Sequence, residues 1–293
     1  MNISGQTISP AYSVLIVDDE ELGRDLLARR LINDGYSVTT AVNGEAATSL
    51  MVVERFDLIL LDINMPVMNG FEVLEWLRNR DKQSMRAIML TGDGDRDSVT
   101  ASLTLGADDY LLKTAGIVEI LHRVRRACQD AALEAQQDLT SAPAECQDCH
   151  VLVVDDESLN QDIIMRRLQR LNFTTHAAND GHAALRLLEQ KHMDLMFLDY
   201  LMPALDGLEV LNKVRQRWHG DELGIIMISA ESEPALVTQF YEAGADDYIA
   251  KPFHAAELLA RTQNALLDLR LRQKARRLAD LAGLGGHIRS TGA

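Results

Sequence analysis

Short apolar runs alternate along the chain with longer stretches that have the periodicity of amphipathic helices. In the first half of the chain the apolar runs are Val14–Val17, Ser37–Thr40, Leu58–Leu61, Ala87–Leu90 and Asp109–Leu112. The helical stretches between and after them are Glu20–Asn33, Gly44–Glu54, Gly70–Arg80, Asp95–Leu105 and Gly116–Ala132. Uninterrupted runs such as LIVD and LILLD predict strands that are buried on both faces. Five strand–helix units in succession predict an α/β fold, in which helices cover both faces of a parallel sheet.

The second half of the chain repeats the first. The matching blocks are VLIVDDEE and VLVVDDES, LILLDINMP and LMFLDYLMP, and GADDYLLK and GADDYIAK. Matching positions are 137 residues apart in the first two blocks and 138 apart in the third, so one residue has been inserted between them. A period this long indicates a duplicated domain, because solenoid repeats are much shorter.

The repeat defines the expected domain boundaries. We expect a first domain over 13–137, a linker over 138–148, a second domain over 149–267, and a helical extension with a tail over 268–293. The linker is polar and contains Pro143, which ends the preceding helix.

Composition and charge exclude several classes of protein. The chain has 293 residues, of which 47% are hydrophobic and 25% are charged, and these are globular values. A net charge of −15 argues against a general nucleic-acid binder. No apolar run reaches 18 residues and the N-terminus does not resemble a secretory signal, so we expect no membrane insertion and a cytoplasmic location.

Three acidic residues fall at the carboxyl ends of predicted strands, where sites form in parallel sheets. Asp18 and Asp19 follow the first strand, and Asp62 follows the third. Carboxylates gathered at one sheet edge repel one another and need a counter-charge. Because Mg²⁺ binds through a few carboxylates and keeps open positions, we predict a magnesium site.

A hydroxyl and an ammonium are expected beside these acids. Thr91 ends the fourth predicted strand and Lys113 ends the fifth. A hydroxyl and an ammonium next to a metal suit a phosphoryl group, and a carboxylate can itself accept one as an aspartyl phosphate. Asp62 stands alone at the end of the central strand, which makes it the predicted acceptor. The second copy repeats the set with the same internal spacings as Asp155, Asp156, Asp199, Ser229 and Lys251.

With these motifs in this order, the sequence resembles the receiver domains of two-component response regulators, twice over. The resemblance covers Ser13–Ala132 and Cys149–Leu267. It implies two flavodoxin-like (βα)5 domains with strand order 2-1-3-4-5. It also implies that a sensor histidine kinase or a histidine phosphotransfer protein donates the phosphoryl group, and that a downstream protein effector reads the result.

The resemblance also assigns a role to each matching position. The phosphoacceptors would be Asp62 and Asp199. The Mg²⁺ ligands would be Asp18, Asp19, Asp62 and the backbone carbonyl of Asn64 in the first copy, and Asp155, Asp156, Asp199 and the carbonyl of Leu201 in the second. Asp19 and Asp156 would bind the metal directly, whereas Asp18 and Asp155 would often act through water. The groups that bind or respond to the phosphoryl group would be Thr91, Lys113 and Tyr110, and Ser229, Lys251 and Tyr248.

The first copy departs from the family pattern after its lysine. The second copy has the usual Lys251-Pro252-Phe253, whose Lys–Pro bond the family typically holds in the cis form. The first has Lys113-Thr114-Ala115. A non-proline cis bond costs ~2.5–4 kcal/mol, so this loop is either strained or trans.

The C-terminal segment is basic although the chain is acidic. Residues 266–293 contain six basic and two acidic residues, a net +4. Leu267, Leu271, Leu278 and Leu281 follow a 4-7-3 spacing, which fits a short coiled coil that would form a homodimer. A solvated amphipathic extension explains the spacing equally well. We expect the helix to end by Gly283–Gly286.

The leading functional hypothesis is a phosphorylation-switched interaction protein without enzymatic activity of its own. The alternative is the regulatory part of a longer response regulator, whose enzymatic output domain, such as one for cyclic-di-GMP turnover or a phosphatase, is absent from this chain. A phosphohydrolase of small molecules is disfavoured because the loops are too short to build a substrate pocket. A C-x-x-C-H pattern at Cys146–His150 leaves a role for the linker open.

Overall fold

A computed structural model describes residues 12–80, 85–92, 96–135 and 149–288 of the chain. The chain divides into two compact units, Met1–Asp138 and Leu139–Ala293. The expected linker over 138–148, which includes Cys146, lies outside the described residues. Each unit has its own sheet and its own core.

The first unit alternates five strands with five helices. Its strands are β1 (Ser13–Val17), β2 (Ser37–Ala41), β3 (Leu58–Asp62), β4 (Arg86–Thr91) and β5 (Asp109–Leu112). Its helices are α1 (Glu21–Asn33), α2 (Gly44–Val53), α3 (Gly70–Arg80), α4 (Arg96–Thr104) and α5 (Ile117–Ala135). All five predicted strands and all five predicted helices are therefore present, with ends that differ from the predicted ones by at most three residues.

The second unit repeats this order. Its strands are β6 (His150–Val154), β7 (Thr174–Ala178), β8 (Leu195–Asp199), β9 (Gly224–Ser229) and β10 (Asp247–Ala250). Its helices are α6 (Ser158–Gln169), α7 (Gly181–Gln190), α8 (Gly207–Arg215), α9 (Pro234–Glu242) and α10 (Ala255–Ile288). Asn43 and Asp180 occupy matching positions, and each caps the next helix by accepting a backbone N–H bond.

Both sheets are entirely parallel. Their strand orders are β2-β1-β3-β4-β5 and β7-β6-β8-β9-β10, which confirms the doubly wound α/β prediction and the order 2-1-3-4-5. In the first sheet Val17 pairs with Leu61, and Asp62 pairs with Leu90. This register places the residues that follow β1 beside the last residue of β3, at one edge of the sheet.

The central strands are buried on both faces, as their apolar runs predict. All five residues of β3 are buried, and so are all five of β8. Alternate residues of β3 face two separate apolar clusters: Ile59 and Leu61 belong to one, while Leu58 and Leu60 belong to the other. Burying a large aliphatic side chain contributes about 1.5–3 kcal/mol, so these strands anchor the sheet ends that carry the acidic residues.

The last helix is longer than expected. It reaches Ile288, so the prediction that it ends by Gly283–Gly286 is wrong. A helical glycine costs only about 1 kcal/mol relative to alanine, and residues 283–288 include no proline that would interrupt the helix. The side chains of Leu278 and Leu281 lie outside the described residues, so the coiled-coil homodimer stays a prediction. Among the described helices, none combines the length and the apolar character needed to cross a bilayer.

An arginine of α10 is bonded to the body of the second unit. The Arg272 guanidinium contacts Asp246 Oδ1 at 2.6 Å and donates to the Gly220 carbonyl at 2.9 Å. The other oxygen of Asp246 accepts from Arg215 and from the backbone N–H of Ile225, both at 2.7 Å. Two guanidinium groups therefore share one buried carboxylate.

The first unit builds the matching contact from a different element. Asp108, the counterpart of Asp246, accepts from Arg78 and from Arg86, both at 2.7 Å. Arg86 lies on β4, and its counterpart on β9 is Gly224. In the second unit the missing strand arginine is thus replaced by Arg272 of α10.

We predict that Arg272→Ala destabilises the second unit by about 1–2 kcal/mol, because hydrogen bonds to charged groups contribute about 1.5–3 kcal/mol and this side chain is one-third exposed. The chain has two tryptophans, of which Trp76 lies in the first unit and Trp218 in the second. In a Trp76→Phe background, urea unfolding followed by Trp218 fluorescence measures the second unit alone.

Lys274→Ala, at an exposed position of the same helix, is the matched control and should change stability by less than about 0.5 kcal/mol. Equal stability of the two alanine variants would show that the Arg272 contact does not hold α10 to the unit.

Candidate functional site

In the first unit the predicted acids and lysine meet at the carboxyl edge of the sheet. Lys113 Nζ lies 2.9 Å from Asp62 Oδ2 and 3.0 Å from Asp18 Oδ2. Asp62 is 2% exposed and Asp18 is 5% exposed, whereas Asp19 is exposed. One ammonium therefore bridges two buried carboxylates, and the third carboxylate lies at the open side.

The second unit has the same arrangement. Lys251 Nζ lies 2.7 Å from Asp199 Oδ1 and 2.8 Å from Asp155 Oδ2. Asp199 and Asp155 are buried, whereas Asp156 is exposed. The two copies therefore match in geometry as well as in sequence.

Burial dominates the electrostatics of the acceptor carboxylates. Removal from water raises the pKa of Asp62, and the bond from Lys113 offsets this only in part. The same cause raises the pKa of Asp199 to about 6. Burial alone would lower the pKa of Lys113, but its bonds to Asp62 and Asp18 raise it overall. The lysine ammonium therefore stays charged beside the two carboxylates.

The donor set fits a hard divalent cation. In each unit three carboxylates offer oxygens that lie within 4.8 Å of one another: Asp18, Asp19 and Asp62, and Asp155, Asp156 and Asp199. A single ammonium cannot neutralise three carboxylates, and the exposed member leaves one side of the cluster open to water and ligands. Few carboxylates and open positions are the conditions under which Mg²⁺ binds.

The predicted hydroxyl residues end the neighbouring strands. Thr91 is the last residue of β4 and Ser229 is the last of β9, and both are buried. Each backbone carbonyl accepts from the N–H of the lysine that directly follows the next strand, at 2.8 Å from Lys113 to Thr91 and at 2.6 Å from Lys251 to Ser229. The sheet hydrogen bonds thus hold the hydroxyl residue beside the ammonium.

The remaining predicted residues lie around this cluster with different exposure. Asn64 is exposed, and its N–H donates to Asp62 Oδ1 at 3.3 Å. Leu201, its counterpart, is 52% exposed. Tyr110 is partly buried against the apolar cluster, whereas Tyr248 is buried and its hydroxyl donates to the Glu231 carbonyl at 3.2 Å. The two tyrosines thus differ in burial.

Two residues that support the site were not predicted. Arg24 Nη1 donates to the Asp18 carbonyl at 2.7 Å, and its counterpart Gln161 donates through Nε2 to the Asp155 carbonyl at 2.6 Å. Both side chains are buried. The only sequence signal was a long polar residue six positions after the first acid in each copy, and such residues on a helix are ordinarily exposed.

A glycine brings the next helix close to each acceptor. A Cβ on Gly70 would lie 2.3 Å from the Asp62 carbonyl oxygen, and one on Gly207 would lie 2.2 Å from that of Asp199. Atoms cannot approach this closely, so any other residue would push the helix start away from the acceptor backbone. The glycine is therefore a requirement of the site.

The chain matches the profile of the family described as "Response regulator receiver domain" twice, over residues 14–125 and 151–263. A curated relative, "Response regulator MprA" of Mycobacterium ulcerans, is 38% identical over 121 residues. That match covers 41% of this chain and 51% of the relative, so the chain spans about half of the relative's length.

Solved structures give similar matches. A two-component system response regulator/GGDEF domain protein is 26% identical and matches over 88% of this chain and 99% of its own, with a TM-score of 0.40. The response regulator TrrA of Thermotoga maritima, solved in complex with Mg(2+)-BeF, is 31% identical over 40% of this chain and 99% of its own, with a TM-score of 0.37.

The family profile covers most of the chain, in two stretches that each contain a complete acid, hydroxyl and lysine cluster. The chain therefore belongs to the response regulator receiver domain family of two-component signalling, and it contains that domain twice.

Proposed function

We propose that both units accept a phosphoryl group, on Asp62 in the first and on Asp199 in the second, and that this switches protein–protein interactions. The observation that carries the proposal is the duplicated cluster in which one lysine bridges two buried aspartates beside an exposed third. The proposed donor is a sensor histidine kinase or a histidine phosphotransfer protein, and the proposed reader is a protein effector.

In the transfer of the phosphoryl group, the aspartate is the one protein group that forms a covalent bond, and the other residues position the group and stabilise its charge. A carboxylate oxygen of Asp62 or Asp199 attacks the phosphorus of a phosphohistidine, the P–N bond breaks, and the imidazole leaves. When bound at the three carboxylates, Mg²⁺ would neutralise charge on the phosphoryl oxygens. The lysine ammonium and the hydroxyl of Thr91 or Ser229 would bind the remaining oxygens.

In the second unit, hydrogen bonds of Glu231 connect the hydroxyl beside the acceptor to Tyr248 and would serve as a switch. The Glu231 N–H donates to Ser229 Oγ at 2.9 Å, and the Glu231 carbonyl accepts from the Tyr248 hydroxyl at 3.2 Å. If Ser229 turns its hydroxyl toward a phosphoryl oxygen, the bond from the Glu231 N–H to Ser229 Oγ is lost. The Glu231 backbone is then held less firmly, which weakens the bond that its carbonyl accepts from Tyr248. A change at the acceptor would thereby reach a buried aromatic ring.

We predict that treatment with acetyl phosphate and Mg²⁺ adds up to two phosphoryl groups to the chain, measured as intact mass. Asp62→Asn and Asp199→Asn should each leave one group, and the double variant should gain none, because an amide is not a nucleophile for phosphorus. Glu54→Gln, at an exposed position outside the site, is the control and should behave as the parent. An adduct on the double variant would disprove the assignment of the acceptors.

We predict that Mg²⁺ raises the free energy of unfolding of both units by about 1.4 kcal/mol at a free concentration ten times its Kd. In Trp76→Phe chains, Asp156→Asn should weaken this effect because it removes the exposed carboxylate of the second cluster. Asp19→Asn should leave the second unit's response unchanged, and it is therefore the matched control. Urea unfolding of the two variants with and without Mg²⁺, followed by Trp218 fluorescence, measures the response of the second unit. An undiminished response in Asp156→Asn would contradict a magnesium site at Asp155, Asp156 and Asp199.

We predict that the phosphoryl group leaves Asp62 faster than it leaves Asp199. Hydrolysis needs a water positioned in line behind phosphorus, and positioning is a large part of phosphoryl-transfer catalysis. The amide of Asn64 can hydrogen-bond such a water, whereas the side chain of Leu201 cannot. Each single Asp→Asn variant leaves one live site, and its decay is followed after the phosphodonor is removed.

Leu201→Asn should speed the decay at Asp199, while Leu171→Asn, at an exposed position between α6 and β7, serves as a control. Equal decay rates in the Asp62→Asn and Asp199→Asn single variants would refute the argument from Asn64 and Leu201.

A further inference from the structure

A cavity of about 430 Å³ lies in the first unit between α1 and the start of α5. Leu27, Leu90, Leu111 and Ile120 line it with aliphatic groups, and Ala115 lies on the loop that borders it. Cavities of this size and apolar character are typical of sites for small ligands. The lining comes from two strands and two helices, so the fold itself forms the walls.

The second unit shows what fills the corresponding space. The offsets of 137 and 138 residues pair the four aliphatic lining residues with Ile164, Ile228, Ile249 and Leu258. All four belong to one buried cluster, and the ring of Phe253 packs against that cluster. The counterpart of Phe253 is Ala115, so the first unit has a methyl group where the second has a phenyl ring.

The cavity shares its wall with the acidic cluster. Asp18 and Lys113, which contact each other at 3.0 Å, also line the cavity. Glu20 and Arg30 add polar groups to its lining, and Leu26, which is 52% exposed, lies at its border with solvent. A molecule in the cavity would therefore have an apolar pocket for a ring, charged groups for a polar substituent, and a direct route in from water.

We propose that this cavity binds a small molecule with one aromatic ring, which takes the place that Phe253 occupies in the second unit. The evidence for the ring is that the counterparts of the four aliphatic lining residues belong to the cluster against which the Phe253 ring packs in the other copy. Binding needs neither Mg²⁺ nor a phosphoryl group, so the proposal does not depend on the proposed function. Through Lys113 the ligand contacts the wall of the phosphorylation site.

The test uses the full chain without Mg²⁺ or phosphodonor, and saturation-transfer NMR with benzyl alcohol, phenethylamine and phenylacetate as probes. We expect saturable binding of at least one probe to the parent. The saturated analogue cyclohexylmethanol should bind more weakly than benzyl alcohol. Absence of saturable binding by all three aromatic probes, or equal binding of the saturated analogue, would overturn the proposal.

Variants locate the site. Thr114→Pro with Ala115→Phe, which copies the second unit's sequence into the first, should abolish binding, and Ala115→Val should weaken it if the double variant does not fold. Phe253→Ala should open the matching space and raise the number of bound probes from one to two. Val53→Phe adds a ring at an exposed position and should bind as the parent does. Undiminished binding in a folded, filled variant would place the probe elsewhere and refute the site.

Discussion

The contact between one lysine ammonium and two buried carboxylates is the interaction on which each unit's chemistry depends. Like charges a few ångströms apart repel, and burial makes each charge more costly. The sheet brings these carboxylates together because parallel strands all end at one edge, and the lysine that follows the last strand of each unit supplies the compensating charge. In both units it lies within about 3 Å of both acids, although the loops that follow it differ in sequence.

The supporting residues vary between the units while the reacting groups do not. The Asp18 carbonyl accepts from a guanidinium, and its counterpart in the second unit accepts from the amide of Gln161. Either donor satisfies a buried carbonyl, which would otherwise cost about 1–3 kcal/mol. Arg86 and Arg272 correspond in the same sense, because each places a guanidinium on an equivalent carboxylate, Asp108 or Asp246, from a different element. The requirement is for a donor at a point in space, not for a particular residue in the chain.

The sheet and the acidic cluster could be predicted from the sequence because they follow from local patterns. The uninterrupted run Leu58–Leu61 predicts a central strand, and an acid that follows such a strand must lie at the carboxyl edge. The role of Arg272 could not be predicted in this way, because its partner Asp246 is 26 residues away and the pairing depends on how α10 crosses the unit. The cavity beside Ala115 could not be predicted either, because a missing side chain leaves no pattern in the sequence.

Because Arg272 takes the place of Arg86, α10 bonds a carboxylate next to the sheet in addition to packing against the second unit. In the first unit the carboxylate of Asp108 accepts from Arg86 of the sheet and from Arg78 of α3. In the second unit Gly224 removes the strand arginine, and one oxygen of Asp246 depends on the helix instead. Asp246 directly precedes β10, which carries Tyr248 and is followed by Lys251. Arg272 therefore attaches the extended helix at Asp246, two positions before Tyr248. The Tyr248 hydroxyl donates to the Glu231 carbonyl, and the Glu231 N–H donates to the Ser229 hydroxyl beside the acceptor. The helix is thus bonded to the chain directly before the strand whose tyrosine contacts the candidate site.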